Sequence, residues 1–432
     1  MLEDNLKKQI SRAASGSLGI KIVSTGLSFL TSVTLARLLG VSEYGLYIYA
    51  ISWKGLVGFI AIFGFDRLLI KEISVFQSKQ SWNEMRGLLH FSNKATALIS
   101  TALFFVAILV TWFLVGKNDY HSFLALSIAF ASLVPSALGS LRAATLSGLN
   151  LVLLGQLSEL IILPSIFMIL VGLVYFLGGN EVGIISIMIT WLISVFINFL
   201  IGTFILFKKI PNLVKDSKPN YDHSRKWITN ALPFIFISAM NVVLNKTDMI
   251  MLGTMTGTSA VGIYAVCTRT SQFVAFVLMA MNSALGPNIA RLYANGQQEK
   301  LQNIITKTTR VVSLAAIPIV LVIVTCGKWL LSLYGNEFIS GYSTLVILSI
   351  SQLANVATGS VGLLLNMTGN QKQVAIGIGI SACLNIVLNF LLIPPFGILG
   401  AAIATATSMV FQNIHLMFIV SKRLKIRSSV FG

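Results

Sequence analysis

The sequence predicts an all-α polytopic membrane protein, with about twelve transmembrane helices in two pseudo-symmetric six-helix bundles around a central cavity. The first observation is composition: 55% apolar residues, 10% charged residues and a mean hydropathy of +0.84 are not those of an ordinary soluble domain. The second is a series of apolar segments, each long enough to cross a bilayer. The third is a motif that occurs twice, 217 positions apart.

Twelve apolar segments of about 20 residues, the length that a bilayer requires, are divided equally between the halves of the chain. In the first half the predicted spans are 14–38, 44–64, 95–115, 122–141, 151–176 and 184–207. In the second half they are 229–252, 261–285, 311–333, 342–366, 373–394 and 398–420. Because each half has an even number of spans, both halves enter the membrane in the same orientation. Charged segments 66–94 and 287–310 are expected to form helices along the inner membrane surface.

The duplicated motif is the segment GVSEYGLY at 40–47, which corresponds to GTSAVGIY at 257–264 with four identical positions. Upstream of each copy, polar residues recur at steps of three, four and three, which places them on one face of a helix. These residues are Lys21, Ser24, Ser28 and Thr31 in the first half, and Ser238, Asn241, Asn245 and Asp248 in the second. We interpret the chain as a duplicated unit of six spans.

The two halves are predicted to form domains of residues 1–207 and 229–432, joined by a basic linker of residues 208–228. Most of the 31 basic residues fall on the segments that would share one side of the membrane. Lys and Arg are retained on the cytoplasmic side, so both termini are predicted to be cytoplasmic in a multi-pass inner-membrane protein. This topology explains the net charge of +17 without a nucleic-acid partner. The basic N-terminal tail suits anionic membrane lipids.

The residues that usually hold metals or carry catalysis form no pattern here. The three cysteines lie in separate predicted spans and the four histidines are scattered, so neither a disulfide framework nor a metal cluster is expected. No glycine-rich phosphate loop and no nucleophile–base arrangement is recognisable. We therefore expect no cofactor and no enzymatic activity.

Cations inside the predicted spans are the candidate binding residues, because each costs about 2.5 to 3.5 kcal/mol to insert and usually faces the protein interior or water. Lys54 and Arg269 lie about 15 Å and about 13 Å from the outer ends of their spans, near the membrane midplane. Two cations facing a shared cavity would attract an anionic headgroup such as a pyrophosphate. Alternatively, they only pair with internal carboxylates. Lys21 either belongs to the same cavity or reaches the inner interface with its long side chain.

Glu159 and Asp248 are the carboxylates well inside the predicted spans. Asp248 continues the polar face of Asn241 and Asn245, which suggests a place where a proton or a sodium ion binds. Alternatively, either carboxylate neutralises a neighbouring cation. The remaining residues expected to line the cavity are Ser24, Ser28, Thr31, Asn241 and Asn245.

A further polar face is predicted on the eleventh span, where Ser381, Asn385 and Asn389 recur at helical spacing. Hydrogen bonding between helices and contact with a sugar explain this face about equally well. The sequence leaves both alternatives open.

Short segments spread over the chain resemble a known family: LARLLG at 35–40 followed by EYGLY at 43–47, DMIMLG at 248–253, and GILGAAIAT at 397–405. In these segments the chain is similar to polysaccharide-export flippases, of the O-antigen or capsule type, in the MOP (multidrug, oligosaccharidyl-lipid, polysaccharide) exporter superfamily. The resemblance implies two six-helix bundles with alternating access to a cationic cavity. It also implies a substrate, a polyprenyl-pyrophosphate-linked oligosaccharide that moves from the cytoplasmic to the outer leaflet.

In related lipid-linked sugar flippases, basic residues on the first, second and eighth spans meet the pyrophosphate, which implies this role for Lys21, Lys54 and Arg269. Export of an anion is favoured by about 2.3 kcal/mol per charge per 100 mV of membrane potential. Counterflow of H⁺ or Na⁺ is a further expected source of energy, and glycan polymerases are possible partners.

Three alternatives remain at this stage: a drug exporter of the same superfamily, a major facilitator transporter for small molecules, and a membrane glycan polymerase. The predicted external loops are short, which argues against the polymerase because it needs a large external segment to hold its reacting groups. A cationic cavity would suit an anionic lipid better than a cationic drug.

Overall fold

The computed structural model describes the backbone of residues 2–117, 119–178 and 182–430, and the side chains of these residues except 2–15, 237 and 284. Every regular element in the described residues is helical. The side chains of the N-terminal tail, predicted to meet anionic lipids, lie outside the described set.

Fifteen α-helices follow one another along the described residues. In the first half they are α1 Leu2–Ile62, α2 Phe65–Lys79, α3 Trp82–Thr111, α4 Tyr120–Ala131, α5 Leu133–Gly148, α6 Val152–Leu157, α7 Leu163–Gly178 and α8 Ile184–Lys209. The linker carries α9 Asn212–Asp216. In the second half they are α10 Ser224–Met255, α11 Thr258–Ala294, α12 Gln298–Ser332, α13 Tyr342–Ala357, α14 Val361–Met367 and α15 Gln371–Leu424. Two π-helical turns, Trp112–Gly116 and Ser158–Ile162, and one 3₁₀ turn, Asn336–Gly341, lie between them.

Ten helical segments in the described residues are long and apolar enough to cross a membrane. Two of them, Gly16–Ile62 and Gln371–Leu424, have 47 and 54 residues and are each interrupted by one non-helical glycine. Each therefore supplies two spans, because a single span needs only about 20 residues. With these divisions the described residues contain twelve spans, six in each half, and the predicted all-α polytopic fold is confirmed.

The glycines that begin the duplicated motif interrupt the helical path in the same way. Gly40 within α1 has φ 71° and ψ 179°, and Gly257, just before α11, has φ 99° and ψ 172°. Residues with a Cβ rarely adopt this backbone conformation, whereas glycine adopts it without strain. The repeated glycine is therefore explained by the turn that it allows between two consecutive spans.

The helices pack into two compact units. The first consists of Met1–Thr31 and Tyr49–Val242. Within it, α5 packs against α2, α3, α6 and α8. A buried apolar cluster joins α2, α3 and α5 to Val214 and Trp227 of the linker, which lies against α3 through a hydrogen bond of 3.1 Å from the Asn220 amide to the Asn83 carbonyl.

The second unit consists of Ser32–Ile48 and Val243–Gly432. Within it, α11 packs against α12, α13 and α14, and α13 packs against α15. The sequence predicted two six-helix bundles, residues 1–207 and 229–432, with a boundary at the linker 208–228. That boundary stays a prediction.

Within the second unit, the first copy of the motif packs directly on the second. A Cβ placed on Gly45 would lie 1.8 Å from the carbonyl oxygen of Thr258, and one on Gly262 would lie 2.4 Å from the carbonyl oxygen of Val41. The side chain of Ser42 is hydrogen-bonded to that of Thr258 at 3.2 Å. Equivalent glycines of the two repeats thus allow their backbones to approach closely.

Contacts around this packing join the same N-terminal segment to the turn after α12. Arg37 Nε donates a hydrogen bond of 2.6 Å to the Leu333 carbonyl oxygen. The ring of buried Tyr44 meets that of Phe338 edge to face, with 6.1 Å between the centroids.

The structure differs from the sequence-based expectation at the inner ends of two spans. Gly64 has φ 71° and separates α2 from α1, as expected for a helix at the inner surface, but α11 continues without a break to Ala294. The position equivalent to Gly64 is Met281, which has no preference for a left-handed backbone.

The predicted span 342–366 is likewise divided, because Gly359, with φ 76°, separates α13 from α14. A Cβ on Gly359 would lie 2.5 Å from the Ser428 carbonyl oxygen. The C-terminal segment is bound nearby: Val430 N donates to the Ala357 carbonyl and Thr309 Oγ1 donates to the Ser428 carbonyl, both at 3.1 Å. The break thus makes room for the chain end to pack on the second unit.

Candidate functional site

A buried polar cluster within the second unit surrounds Asp248 on α10, whose exposure is 7%. Asn389 Nδ2 donates to Oδ1 of Asp248 at 2.6 Å, while Thr405 Oγ1 and the Tyr264 hydroxyl donate to Oδ2 at 2.5 Å and 2.9 Å. Asn389 also donates to Oδ1 of Asn385, one helical turn away, at 3.0 Å. All the groups that the structure shows bonded to the Asp248 carboxylate are neutral.

This cluster has an excess of oxygen acceptors. Asn389 Oδ1 is buried and has no hydrogen-bond partner among the described groups. An isolated carboxylate transferred to an apolar interior is strongly disfavoured unless its charge is compensated. A single proton, or a monovalent cation held by carboxylate, amide and hydroxyl oxygens, would supply that compensation. The described residues contain no group of three or more His, Cys, Asp or Glu side chains suited to a metal ion.

The duplicated motif places one residue of this cluster. Tyr264 is the last residue of the second copy, and it is buried just as Tyr47 is at the end of the first copy. Two helical turns separate Tyr264 from the glycine turn at Gly257, which fixes where α11 begins. The hydroxyl of Tyr264 can therefore reach α10 and α15.

A second polar cluster lies within the first unit and contains Lys54. Lys54 Nζ donates a hydrogen bond of 2.8 Å to Ser136 Oγ on α5. One turn further along α5, Ser140 Oγ donates to Glu159 Oε1 at 3.3 Å. Because Ser136 and Ser140 are neighbours on one face of α5, the structure brings these two predicted site residues together.

Glu159 lies on the π-helical turn Ser158–Ile162. Such turns are rare and occur frequently at functional sites. Ser158 anchors this one: its buried hydroxyl donates to Asn198 Oδ1 on α8 at 2.9 Å. The Glu159 side chain is exposed, whereas the neighbouring Ser158 is buried.

The remaining predicted site residues lie on long helices. Lys21, Ser24 and Ser28 are half-buried on α1, whereas Thr31 is buried and donates to the Leu27 carbonyl at 2.7 Å. Asn241 and Asn245 on α10 are exposed, in contrast to Asp248 on the same polar face. These positions are compatible with the predicted roles and do not test them.

Arg269 on α11 is half-buried. Lys21 and Lys54 belong to the first unit and Arg269 to the second. Their predicted convergence on one substrate stays a prediction.

Sequence reasoning missed several partners of these residues. Ser136 and Ser140 are separated by four positions, which would have placed them on one helix face, but so are many serine pairs. On the predicted polar face of Asn385 and Asn389, Asn389 donates one hydrogen bond to Asp248 on α10 and one to Asn385 on its own helix. Thr405 ends the segment GILGAAIAT at 397–405, but nothing in that segment indicates a contact with Asp248.

A protein-family model described as "Polysaccharide biosynthesis protein" matches residues 12–293, well over half of the chain. The chain belongs to this polysaccharide biosynthesis protein family. A second model, MatE, matches residues 233–391 of this family member.

Two curated relatives of this polysaccharide biosynthesis family member come from Haloferax volcanii. "Probable low-salt glycan biosynthesis flippase Agl15" is 25% identical over 91% of this chain and 79% of that protein. "Probable flippase AglR" is 36% identical, but the match spans 39% of this chain and only 36% of AglR.

Solved structures share the fold of this family member. A multidrug resistance MATE family transporter of the MOP superfamily, in an inward-facing conformation, has a TM-score of 0.74 at 15% identity, over 95% of this chain and 98% of that one. The lipid II flippase MurJ, in an inward closed conformation, has a TM-score of 0.73 at 17% identity, over 93% of this chain and 86% of that one. The family models support the predicted resemblance, and these solved structures confirm the predicted multi-pass helical fold.

Proposed function

We propose that this protein is a flippase that moves a polyprenyl-pyrophosphate-linked oligosaccharide from the cytoplasmic to the outer leaflet by alternating access to a central cavity. The observation that carries the proposal is the presence of Lys54 and Arg269 inside the spans of a polysaccharide biosynthesis family member. The relative named as a glycan biosynthesis flippase supports a glycan substrate, and the relative named as a flippase supports the same kind of activity.

In this proposal, Lys54 and Arg269 attract the diphosphate and Lys21 contributes a third positive charge. Lysine acts as a compact point charge with rotatable donors, so it can follow a diphosphate that moves, whereas arginine adds two parallel donors. The glycan would contact neutral polar groups such as Ser24, Ser28, Asn241 and Asn245. Charge would thus select the lipid headgroup, and neutral hydrogen bonding would tolerate different sugars.

The energy for transport is proposed to come from the membrane potential and from counterflow of H⁺ or Na⁺. Outward movement of negative charge gains about 2.3 kcal/mol per charge at 100 mV, negative inside. The Asp248 cluster supports the coupling step, because its single carboxylate, neutral donors and unpartnered amide oxygen suit one monovalent cation or one proton. Binding there would bias the packing of α10 against α15.

The topology proposed for the cell has both termini in the cytoplasm of an inner membrane. The basic ends of α8 and α15 support it: Lys208 and Lys209 lie in the last turn of one, Lys422 and Arg423 in the last turn of the other. Glycan polymerases would receive the product on the outer face and are proposed as partners.

A drug exporter of the same superfamily is the second candidate, favoured by the MatE match and by the MATE-like fold. Two cations inside the spans disfavour it, since cationic drugs would be repelled. Binding of a cationic dye in preference to a polyprenyl diphosphate would reverse this order.

The experiment that tests the proposal is the sidedness of the lipid-linked oligosaccharide in cells depleted of the protein, measured with a sugar-reactive reagent that cannot cross the membrane. We expect intact intermediate to accumulate facing the cytoplasm. Lys54→Ala and Arg269→Ala should each fail to restore outward transport at normal protein level, whereas Lys300→Ala, a matched change on the exposed end of α12, should restore it. Outward-facing intermediate in depleted cells would refute the flippase proposal.

Coupling is tested separately with purified protein in liposomes that contain a polyprenyl-diphosphate-linked sugar. An imposed sodium or proton gradient should accelerate flipping by the native protein and not by Asp248→Asn. Asp222→Asn removes the same charge from the exposed linker and should respond like the native protein. An equal response of Asp248→Asn would exclude the Asp248 cluster as the coupling site.

A further inference from the structure

The Lys54 cluster in the first unit contains a negative charge that the proposed anion-binding role does not require. Lys54 Nζ and Glu159 Oε1 are bonded at 2.8 Å and 3.3 Å to Ser136 and Ser140, respectively. Residues four apart on a helix have Cβ atoms about 5 to 6 Å from each other. One face of α5 therefore holds the ammonium and the carboxylate about one helical turn apart.

The backbone conformation around Glu159, and not only its side-chain rotamer, directs Glu159 toward α5. A π-helical turn contains an extra residue, which shifts the direction of its side chains relative to an α-helix. Here the turn Ser158–Ile162 is held on α8 by the buried Ser158–Asn198 hydrogen bond. With Ser158 bonded to α8, the next residue, Glu159, reaches α5.

We propose that Glu159 is the resident counter-ion of Lys54, a positioning residue that holds the ammonium between transport events and is displaced when an anionic diphosphate binds. This inference rests on the proposed function and adds to it a residue that controls release. An unaccompanied cation within a membrane span is costly, and Glu159 removes that cost in the empty carrier. A diphosphate carries more negative charge than one carboxylate and can therefore displace it.

Lys54 then has a defined partner when the substrate is released. When the substrate leaves, Glu159 returns to Lys54, so the ammonium exchanges one anion for another and is never left alone. Removal of the Glu159 charge should strengthen substrate binding and slow release.

The test is a double-mutant cycle on the intact protein in lipid nanodiscs, with a sugar-free polyprenyl diphosphate as the probe and the uncharged polyprenol as its control. Glu159→Gln should bind the diphosphate about tenfold more tightly than the native protein, which corresponds to about 1.4 kcal/mol. In a Lys54→Gln background the same change should alter affinity by less than about twofold, because the residue acts through Lys54. Asp222→Asn should have no effect.

A tenfold effect that persists without Lys54 would mean that Glu159 repels the substrate directly, and would overturn the inference. Equal affinity of Glu159→Gln and the native protein would overturn it as well, while leaving the flippase proposal intact. If the native protein binds the polyprenol and the diphosphate equally, the proposed function fails and this inference fails with it.

Transport kinetics distinguish the counter-ion role of Glu159 from a merely structural role. Glu159→Gln should lower KM and lower kcat for flipping, since tighter binding accompanies slower release. Glu159→Asp retains the charge and should stay within about threefold of the native affinity, whether or not the glutamine variant accumulates. A fall in kcat of Glu159→Asp with unchanged KM would contradict the counter-ion role.

Discussion

Gly45→Ala is the perturbation for which the structure gives the sharpest expectation. The new Cβ would lie 1.8 Å from the Thr258 carbonyl oxygen and 2.9 Å from the Gly262 amide nitrogen. Ordinary contact begins at 3.4 Å, so the two backbones must separate by about 1.6 Å. Both obstructing groups are backbone atoms of α11, which cannot rotate away as a side chain would.

The energetic cost follows from that separation. A gap of 0.5 to 1 Å already forfeits about a quarter to a half of the dispersion attraction between facing atoms. Overpacking in cores costs about 1 to 3 kcal/mol, and the rigidity of the obstruction places Gly45→Ala at about 3 kcal/mol. For 432 residues with about 2.1 cal/mol/K of unfolding entropy each, this corresponds to a Tm lower by about 3 °C.

The assay is thermal unfolding of the purified protein in one detergent, followed by the monodisperse fraction on size-exclusion chromatography. Gly26→Ala is the matched control: Gly26 also lies in α1, and a Cβ there would meet nothing within 4 Å. It should leave Tm unchanged or raise it by about 1 °C, because alanine favours helix more than glycine. If Gly45→Ala and Gly26→Ala unfold at the same temperature, the close packing of the two motif copies is refuted.

Three further predictions concern single groups. Gly359→Ala should release the C-terminal segment and increase its cleavage by a protease, since the site needs φ 76° and has no room for a Cβ; Gly362→Ala, with open space around it, should not. Tyr264→Phe removes a charge-assisted hydrogen bond to Asp248 and should destabilise the protein by about 1.5 to 3 kcal/mol, whereas Tyr175→Phe on α7, an exposed ring, should not. Asp119 caps α4, and the Ser122 hydroxyl and amide hold the pKa of its carboxyl below the usual value. The stabilisation that the cap provides is therefore present above the unfolded-state pKa and is lost as pH falls through the folded-state pKa. Faster amide exchange at Ser122 would report this loss, and an unchanged exchange rate in Asp119→Ala would exclude the cap.

Much of the fold could be predicted because the membrane imposes simple rules on a sequence. A span must satisfy its backbone hydrogen bonds internally and place about 20 apolar residues in the bilayer. Composition alone is therefore enough to predict it. The glycine turns at Gly40 and Gly257 were visible as a repeat because only glycine tolerates that backbone. Helix ends were less predictable: the break at Gly359 depends on the chain end that packs beside it.

The candidate site was predicted in part. Lys54, Glu159 and Asp248 stood out because charge inside a span is costly and therefore rare. The sequence did not show which partner each of these charged residues has. It left open that Asp248 neutralises a cation, whereas the structure surrounds Asp248 with Tyr264 and with neutral groups of α15.

The sequence by itself determined the class of protein, the number of spans, the internal repeat and the charged residues that need a partner, because these depend on local composition and on the solvent around each segment. Only the tertiary structure decided which partners they have. Ser136 and Ser140 join Lys54 to Glu159, and Thr405 reaches Asp248 from 157 positions away. Hydrogen bonds depend on distances of a few ångströms between helices, and helix packing sets those distances through contacts spread over the whole chain.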